Sequence, residues 1–144
     1  MLLDPADPVL AHAGTRLRTE PVLWLATSRP HAVPVWFSWT DPVVTIFSRP
    51  DTAKVAHLRA DPAVALHLDT AAGGTDVVLL TGRVEFGDPD DERERAFATK
   101  YADQLGGQTF AQWRATFSLA LTAVVGKVVA WQAGPGGLEY RSVP

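Results

Sequence analysis

The sequence predicts a mainly β fold of the α+β class, a six-stranded antiparallel barrel with peripheral helices. Two observations lead to this expectation. Short apolar, β-prone runs separated by tight turns come early in the chain, as in a β-meander, and the longest helical segment is inserted late. Antiparallel strands arranged in this way commonly avoid exposed sheet edges by closing into a barrel.

The first part of the chain predicts one short helix followed by three strands. A helix is expected from Asp7 to Thr19, because Leu10, Ala13 and Leu17 fall on one of its sides. Three β-prone runs follow, at residues 22–27, 32–39 and 43–47. Pro34 lies within the second run, and because proline cannot donate to a strand ladder, it predicts an edge or bulge position.

The second part of the chain alternates helices with three further strands. The strands are expected at residues 63–68, 77–86 and 121–133, the helices at 52–60, from 88 to about 105 and at 109–114, and a short last strand could form at 138–143. Asp61-Pro62 stops the first of these helices, and an acidic first turn containing Pro89 opens the second. Gly82 predicts a bulge or a close backbone approach within its strand.

Composition limits the classes of function. The chain has 144 residues, which suits one compact domain over residues 1–144, and its net charge is −3. Since it has no basic stripe, nucleic-acid binding is not expected. It has no cysteine, no secretory signal and no apolar run long enough for a transmembrane helix, so we expect a cytoplasmic protein without a thiolate metal site.

The most informative segment runs from Phe47 to Lys54, where a β-rich run gives way to a helix. Two hydroxyl residues, an arginine and a lysine cluster at this junction: Ser48, Thr52, Arg49 and Lys54. Free backbone N–H groups and the helix dipole favour an anion there, and lysine and arginine suit phosphate. The alternative is structural: Asp51 or Thr52 caps a short helix, and the two cations are solvated surface charges.

Other chemistry has weak support in the sequence. The four histidines form no His-x-x-x-His pair, no serine has the Gly-x-Ser-x-Gly context of a hydrolase, and no nucleotide-binding glycine motif is present. No metal site is therefore expected. The five tryptophans are numerous for this length. Trp36 or Phe37 could form the wall of a pocket for a flat aromatic ligand, or could simply pack in the core or a subunit interface.

The ordered set of motifs resembles the pyridoxamine 5′-phosphate oxidase-like split-barrel family. Within that family, the chain is similar to the flavin- or deazaflavin-dependent oxidoreductases that use coenzyme F420. The matching pieces occur in family order and are Leu25–Thr27, Val33–Phe37, Phe47–Leu58, Asp61–His67, Val78–Val84, Lys100-Tyr101 and Val128–Trp131. The resemblance implies a split barrel and a homodimer with the cofactor in a groove at the dimer interface.

The resemblance also implies roles for particular residues. The phosphate-binding segment of the family matches Ser48, Arg49, Thr52 and Lys54; the strand beside the ring system matches Pro34, Val35, Trp36 and Phe37; and Thr81 and Gly82 face the same groove in relatives. Three departures stand out. The first hairpin is shortened at residues 28–31, His57 replaces a common asparagine, and Thr81 replaces a common acidic residue.

The function expected from this resemblance is hydride transfer between a bound deazaflavin, F420, and a small organic substrate that the sequence does not specify. The cofactor carries such chemistry, which agrees with the lack of a catalytic constellation. FMN is the alternative cofactor, because both tails begin with a phosphate. The longer acidic tail of F420 would need additional cations, for which Arg29, Arg49 and Arg59 are candidates. A non-catalytic flavin or haem carrier is the other class, with His31 as a candidate haem ligand.

Overall fold

The computed structural model describes all 144 residues, which form four α-helices and eight β-strands. The helices are α1 (Pro8–Thr19), α2 (Ala53–Ala60), α3 (Asp91–Lys100) and α4 (Phe110–Thr116). The strands are β1 (Leu23–Thr27), β2 (His31–Val35), β3 (Ser38–Thr40), β4 (Val43–Ser48), β5 (Ala63–His67), β6 (Val77–Phe86), β7 (Leu119–Gly134) and β8 (Gly137–Val143). No helix is both long enough and apolar enough to cross a membrane.

All eight strands belong to one antiparallel sheet. Seven of them follow the order β2-β1-β5-β6-β7-β4-β3, and β8 pairs with β7 outside this order. The long strand β7 pairs with β4 through its first part, Leu119–Val124, and with β8 through its last part, Val128–Gly134. The terminal strands β2 and β3 do not pair with each other, so the sheet is not closed by hydrogen bonds. The chain itself joins these two strands through Trp36 and Phe37, which gives the predicted split barrel.

The number of strands differs from the prediction, because the sequence suggested six and the structure has eight. The predicted strand at residues 32–39 is divided into β2 and β3, and the short last strand that could form at residues 138–143 is present as β8. The division occurs at Phe37, whose backbone N–H and carbonyl bond to the side chains of Tyr101 and Lys100 instead of to a neighbouring strand. A single-sequence pattern does not reveal such a replacement.

Several local predictions are confirmed. Pro34 lies in β2, at one end of the sheet order. Gly82 lies at a register shift between β6 and β7, where a Cβ atom would come within 2.2 Å of the Val124 carbonyl oxygen. Helix α1 has the predicted range and is capped by Asp7. The prediction for α3 was wrong at both ends, since Asp90 caps its start and the helix stops at Lys100.

Two apolar clusters hold the fold together. The larger one fills the barrel and includes one face of α1, with Val9, Leu10, Ala13 and Leu17 buried against the strands. The smaller one is largely aromatic and lies between β4, α3 and α4. Its members are Phe47, Phe97, Tyr101, Leu105, Trp113 and Ala120, with Trp36, Phe110 and Phe117 packed against them. This second cluster forms the floor of the candidate site.

Candidate functional site

The candidate site begins where β4 ends and α2 begins. Ser48 is the last residue of β4, and its hydroxyl donates to the Arg49 carbonyl oxygen at 2.8 Å. Thr52 is the N-cap of α2, but its side chain makes no capping hydrogen bond. The N–H groups of the first helical turn therefore receive no acceptor from Thr52. Such unpaired donors, at the positive end of the helix dipole, favour a bound anion.

Lys54 is the half-buried cation of this junction. Its ammonium donates to the Thr52 hydroxyl at 3.3 Å, and no carboxylate lies within ion-pair distance of it. Burial lowers its pKa below the ordinary value of lysine. An ammonium group that is partly removed from water without a counterion is destabilising, and a bound anion would compensate for that cost.

These groups open into a depression of about 270 Å³. It combines backbone and side chains of β2, the end of β4, the start of α2 and the aromatic cluster. Its lining residues are Pro34, Val35, Trp36, Phe47, Ser48, Arg49, Thr52, Lys54, Trp113 and Phe117. The fold thus brings together seven of the ten residues that the sequence proposed for the cofactor site.

Three of the proposed residues lie elsewhere in this single chain. Phe37 is fully buried and lies under the Lys100 ammonium, 3.7 Å from the ring centroid. Thr81 and Gly82 line a separate depression together with residues of β1 and β5. The expectation that Phe37 could form a ligand wall is therefore not met, because its ring is enclosed by the protein.

Trp36 reaches the depression, and its indole packs against two other rings. It stacks on Tyr101 with centroids 4.5 Å apart and planes 3° apart, and on Trp113 at 5.7 Å and 13°. Phe117 stacks on Trp113 with centroids 4.5 Å apart. Trp36, Trp113 and Phe117 thus form a row of packed rings that lines the depression.

The predicted set of site residues does not include Phe47, Trp113 and Phe117, which line the depression. Phe47 begins the segment that the sequence singles out, whereas Trp113 and Phe117 lie far from it in the chain. The spacing of Trp113 and Phe117 by four residues was an available signal, because it places both rings on the same side of a helical turn. Trp113 lies within α4, and Phe117 is the C-cap residue that follows the end of this helix at Thr116.

The three candidate arginines occupy different places. Arg49 lines the depression, and its guanidinium lies 5.4 Å from the Phe117 ring centroid, without a carboxylate partner. Arg59 lies on the last turn of α2 and covers the Phe86 ring at 4.4 Å. Arg29 is exposed in the turn between β1 and β2. Of these three arginines, only Arg49 contributes its charge to the depression.

No histidine lines the depression. His57 lies on α2 but turns toward β1, where its Nδ1 is 3.0 Å from the Thr27 hydroxyl. His31 meets His57 edge-on, with ring centroids 5.2 Å apart. The depression therefore contains two cations without carboxylate partners, Lys54 and Arg49, together with two hydroxyls and an aromatic floor. Such a combination suits the phosphate of a ligand that has an aromatic part.

The fold and this junction define a split-barrel protein. Residues 11–131 match the family model described as pyridoxamine 5′-phosphate oxidase, so the chain belongs to that family. No curated protein matches the chain.

Solved structures share the fold at low sequence identity. A candidate pyridoxamine 5′-phosphate oxidase from Listeria innocua has a TM-score of 0.65 at 16 % identity, covering 83 % of this chain and 95 % of that one. An FAD-binding protein from Mesorhizobium loti has a TM-score of 0.57 at 23 %, covering 82 % and 91 %. An F420 reductase has a TM-score of 0.60 at 21 %, covering 78 % and 92 %. These likenesses concern the fold.

Proposed function

We propose that the protein is an oxidoreductase that binds a deazaflavin, coenzyme F420, and moves a hydride between this cofactor and a small organic substrate. The observation that carries the proposal is the half-buried Lys54 ammonium, which has no carboxylate partner and lies beside the uncapped N-terminus of α2. The residues around it fit a phosphate group. The shared fold of an F420 reductase adds support at the level of fold.

In this proposal, the chain binds and orients the cofactor. Lys54, Thr52 and Ser48 hold the phosphate, while Pro34, Val35 and Trp36 lie beside the ring system. When bound, the deazaflavin supplies the hydride chemistry. The aromatic floor excludes water from one side of the site. Arg49, at the rim and free of carboxylates, is suited to the acidic tail that F420 carries beyond its phosphate.

FMN is the second candidate cofactor, favoured by the family match and by the fold shared with an FAD-binding protein. The phosphate junction suits both molecules. A haem carrier finds less support, because no histidine lines the depression. His31, the candidate axial ligand, contacts His57 instead.

We also propose that the working unit is a homodimer with the site at its interface. The depression of about 270 Å³ lies below the usual range of ligand pockets, roughly 300–1,000 Å³, so one chain alone would cover only part of a flavin. The outer face of β6 and β7 carries Leu79 and Val124, which are 37 % and 39 % exposed. Thr81 lies on the same face of β6 as Leu79, and in this proposal Thr81 and the adjacent backbone of Gly82 reach the groove from the partner.

Titration of the purified protein with F420, FMN and haem tests the proposal. We expect F420 or FMN to bind and then to be reduced or oxidised in the presence of a substrate panel. Failure of both to bind would contradict the proposal, and binding without turnover would favour a carrier. Light scattering tests the oligomer, because a monomer with full cofactor affinity would exclude an interface site.

A further inference from the structure

The backbone of Phe37 is held by two consecutive side chains of another element. Its N–H donates to the Tyr101 hydroxyl oxygen at 2.9 Å, and its carbonyl accepts from the Lys100 ammonium at 2.9 Å. The Tyr101 hydroxyl in turn donates to the Pro21 carbonyl at 2.7 Å. Both side chains come from the C-terminal end of α3 and the residue after it. At Phe37, these side chains therefore make the backbone hydrogen bonds that a neighbouring strand would otherwise make.

The same contacts fix the wall of the depression. Trp36 directly precedes Phe37, and the Tyr101 ring lies flat against its indole at 4.5 Å. Tyr101 thus restrains both the backbone after Trp36 and the plane of its ring. Because β2 ends at Val35, no strand pairing holds this segment in place.

Lys100 is an unusual choice for a purely structural contact. It has no carboxylate within ion-pair distance, and burial lowers its pKa to about 8, although the charge of Glu20 acts in the opposite direction. Desolvating an ammonium that has no direct ion-pair partner destabilises a fold. What the position gains is a donor for the Phe37 carbonyl and a cation 3.7 Å from the Phe37 ring centroid.

We propose that Lys100 and Tyr101 are positioning residues, which hold Trp36 and the backbone that follows it so that Trp36 meets the ring system of the cofactor. This inference rests on the proposed function. Neither residue lines the depression, and neither contacts the phosphate junction at Ser48–Lys54. The two parts of the site are therefore separable by experiment.

The experiment compares the intact cofactor with its anionic part alone. Tyr101→Phe keeps the aromatic stack and removes only the hydroxyl. We expect FMN or F420, whichever the unmodified protein binds, to bind about ten-fold more weakly, as for one lost hydrogen bond to a buried group. Inorganic phosphate, titrated by phosphorus NMR, should bind Tyr101→Phe and the unmodified protein alike. Lys54→Ala should weaken both ligands.

A second pair of variants covers the case in which Tyr101→Phe does not fold. Lys100→Met should weaken cofactor binding with phosphate binding retained, and Lys100→Arg, which keeps the donor and the charge, should restore it. Equal loss of both ligands, or unchanged cofactor affinity in both Tyr101→Phe and Lys100→Met, would overturn the positioning role alone. If the unmodified protein bound neither FMN nor F420, the proposed function would fail, and this inference with it.

Discussion

The ammonium of Lys54 lies 3.3 Å from the Thr52 hydroxyl, and no carboxylate compensates its charge. A lysine that is half buried in this way is poised for an anion from outside the chain. Its lowered pKa has the same origin, since the ammonium loses water and gains no counterion. This relationship links the sequence of the β4–α2 junction to the proposed binding of a phosphate.

Replacing Lys54 by alanine should separate binding from stability. We expect Lys54→Ala to weaken cofactor binding by roughly 1–3 kcal/mol, as for the loss of a charge-assisted hydrogen bond. The unliganded variant should unfold at the same or a higher temperature, because an uncompensated cation is removed. Calorimetric titration and thermal unfolding measure the two effects. Arg95→Ala, at an exposed cation of α3 that lies outside the depression, is the matched control and should change neither.

Arg49 and Arg59 form a second matched pair. Arg49→Ala should weaken F420 more than FMN, because only F420 has an acidic tail beyond the phosphate. Arg59→Ala should leave both affinities unchanged, since its guanidinium covers Phe86 and lies outside the depression. Affinities measured at two salt concentrations would show the electrostatic origin. Equal effects of the two substitutions would argue against the binding of the acidic F420 tail by Arg49.

The stability of the fold should rise with pH through the titration of Lys100. Its pKa is lowered from 10.5 to about 8 in the folded protein. Between these two values the unfolded chain binds more protons than the folded chain, so the free energy of unfolding increases with pH. Below the folded pKa both states are charged, and the full cost of burying the charge remains.

The measurement compares the unmodified protein with Lys100→Met by denaturant unfolding between roughly pH 7.5 and pH 9.5. The unmodified protein should gain stability across this window relative to the variant. The titration of Lys54 changes the stability of both proteins equally, so it cancels from the difference between them. Tyr101, whose pKa burial raises to about 12, acts in the opposite direction above its ordinary value of 10.0, so higher pH is avoided. Parallel pH profiles would show that Lys100 does not titrate in this range.

Gly82 and Gly126 should respond differently to alanine. At Gly82 a Cβ atom would stand 2.2 Å from the Val124 carbonyl oxygen, and backbone atoms cannot easily yield. We expect Gly82→Ala to lower stability by about 1–3 kcal/mol, as for overpacking. Gly126 has no register partner at the same bulge, and a Cβ atom there meets open space. Gly126→Ala should therefore unfold near the temperature of the unmodified protein, and equal losses would contradict the close-approach argument.

Local chemistry predicted most of the fold. The range of α1 follows from its apolar spacing and from Asp7, and the bulge at Gly82 follows from a glycine inside a strand pattern. The division of one expected strand at Phe37 could not be predicted, because its cause is a pair of side chains more than 60 positions away along the chain. The same reason applies to the candidate site. The β4–α2 junction consists of residues that are neighbours in the sequence, so it could be predicted. The Trp113 and Phe117 rings reach it only through tertiary packing, so they could not.

The sequence by itself determined the order of the elements, the family and the cluster of hydroxyls and cations from Ser48 to Lys54, because these depend on neighbouring residues. The tertiary structure alone decided the environment of each group. It half-buried Lys54 without a counterion, stacked Trp36 on Tyr101 and Trp113, enclosed Phe37 and placed Arg59 outside the depression. Burial and pairing arise from residues that are distant in the chain, so they become visible only in the folded protein.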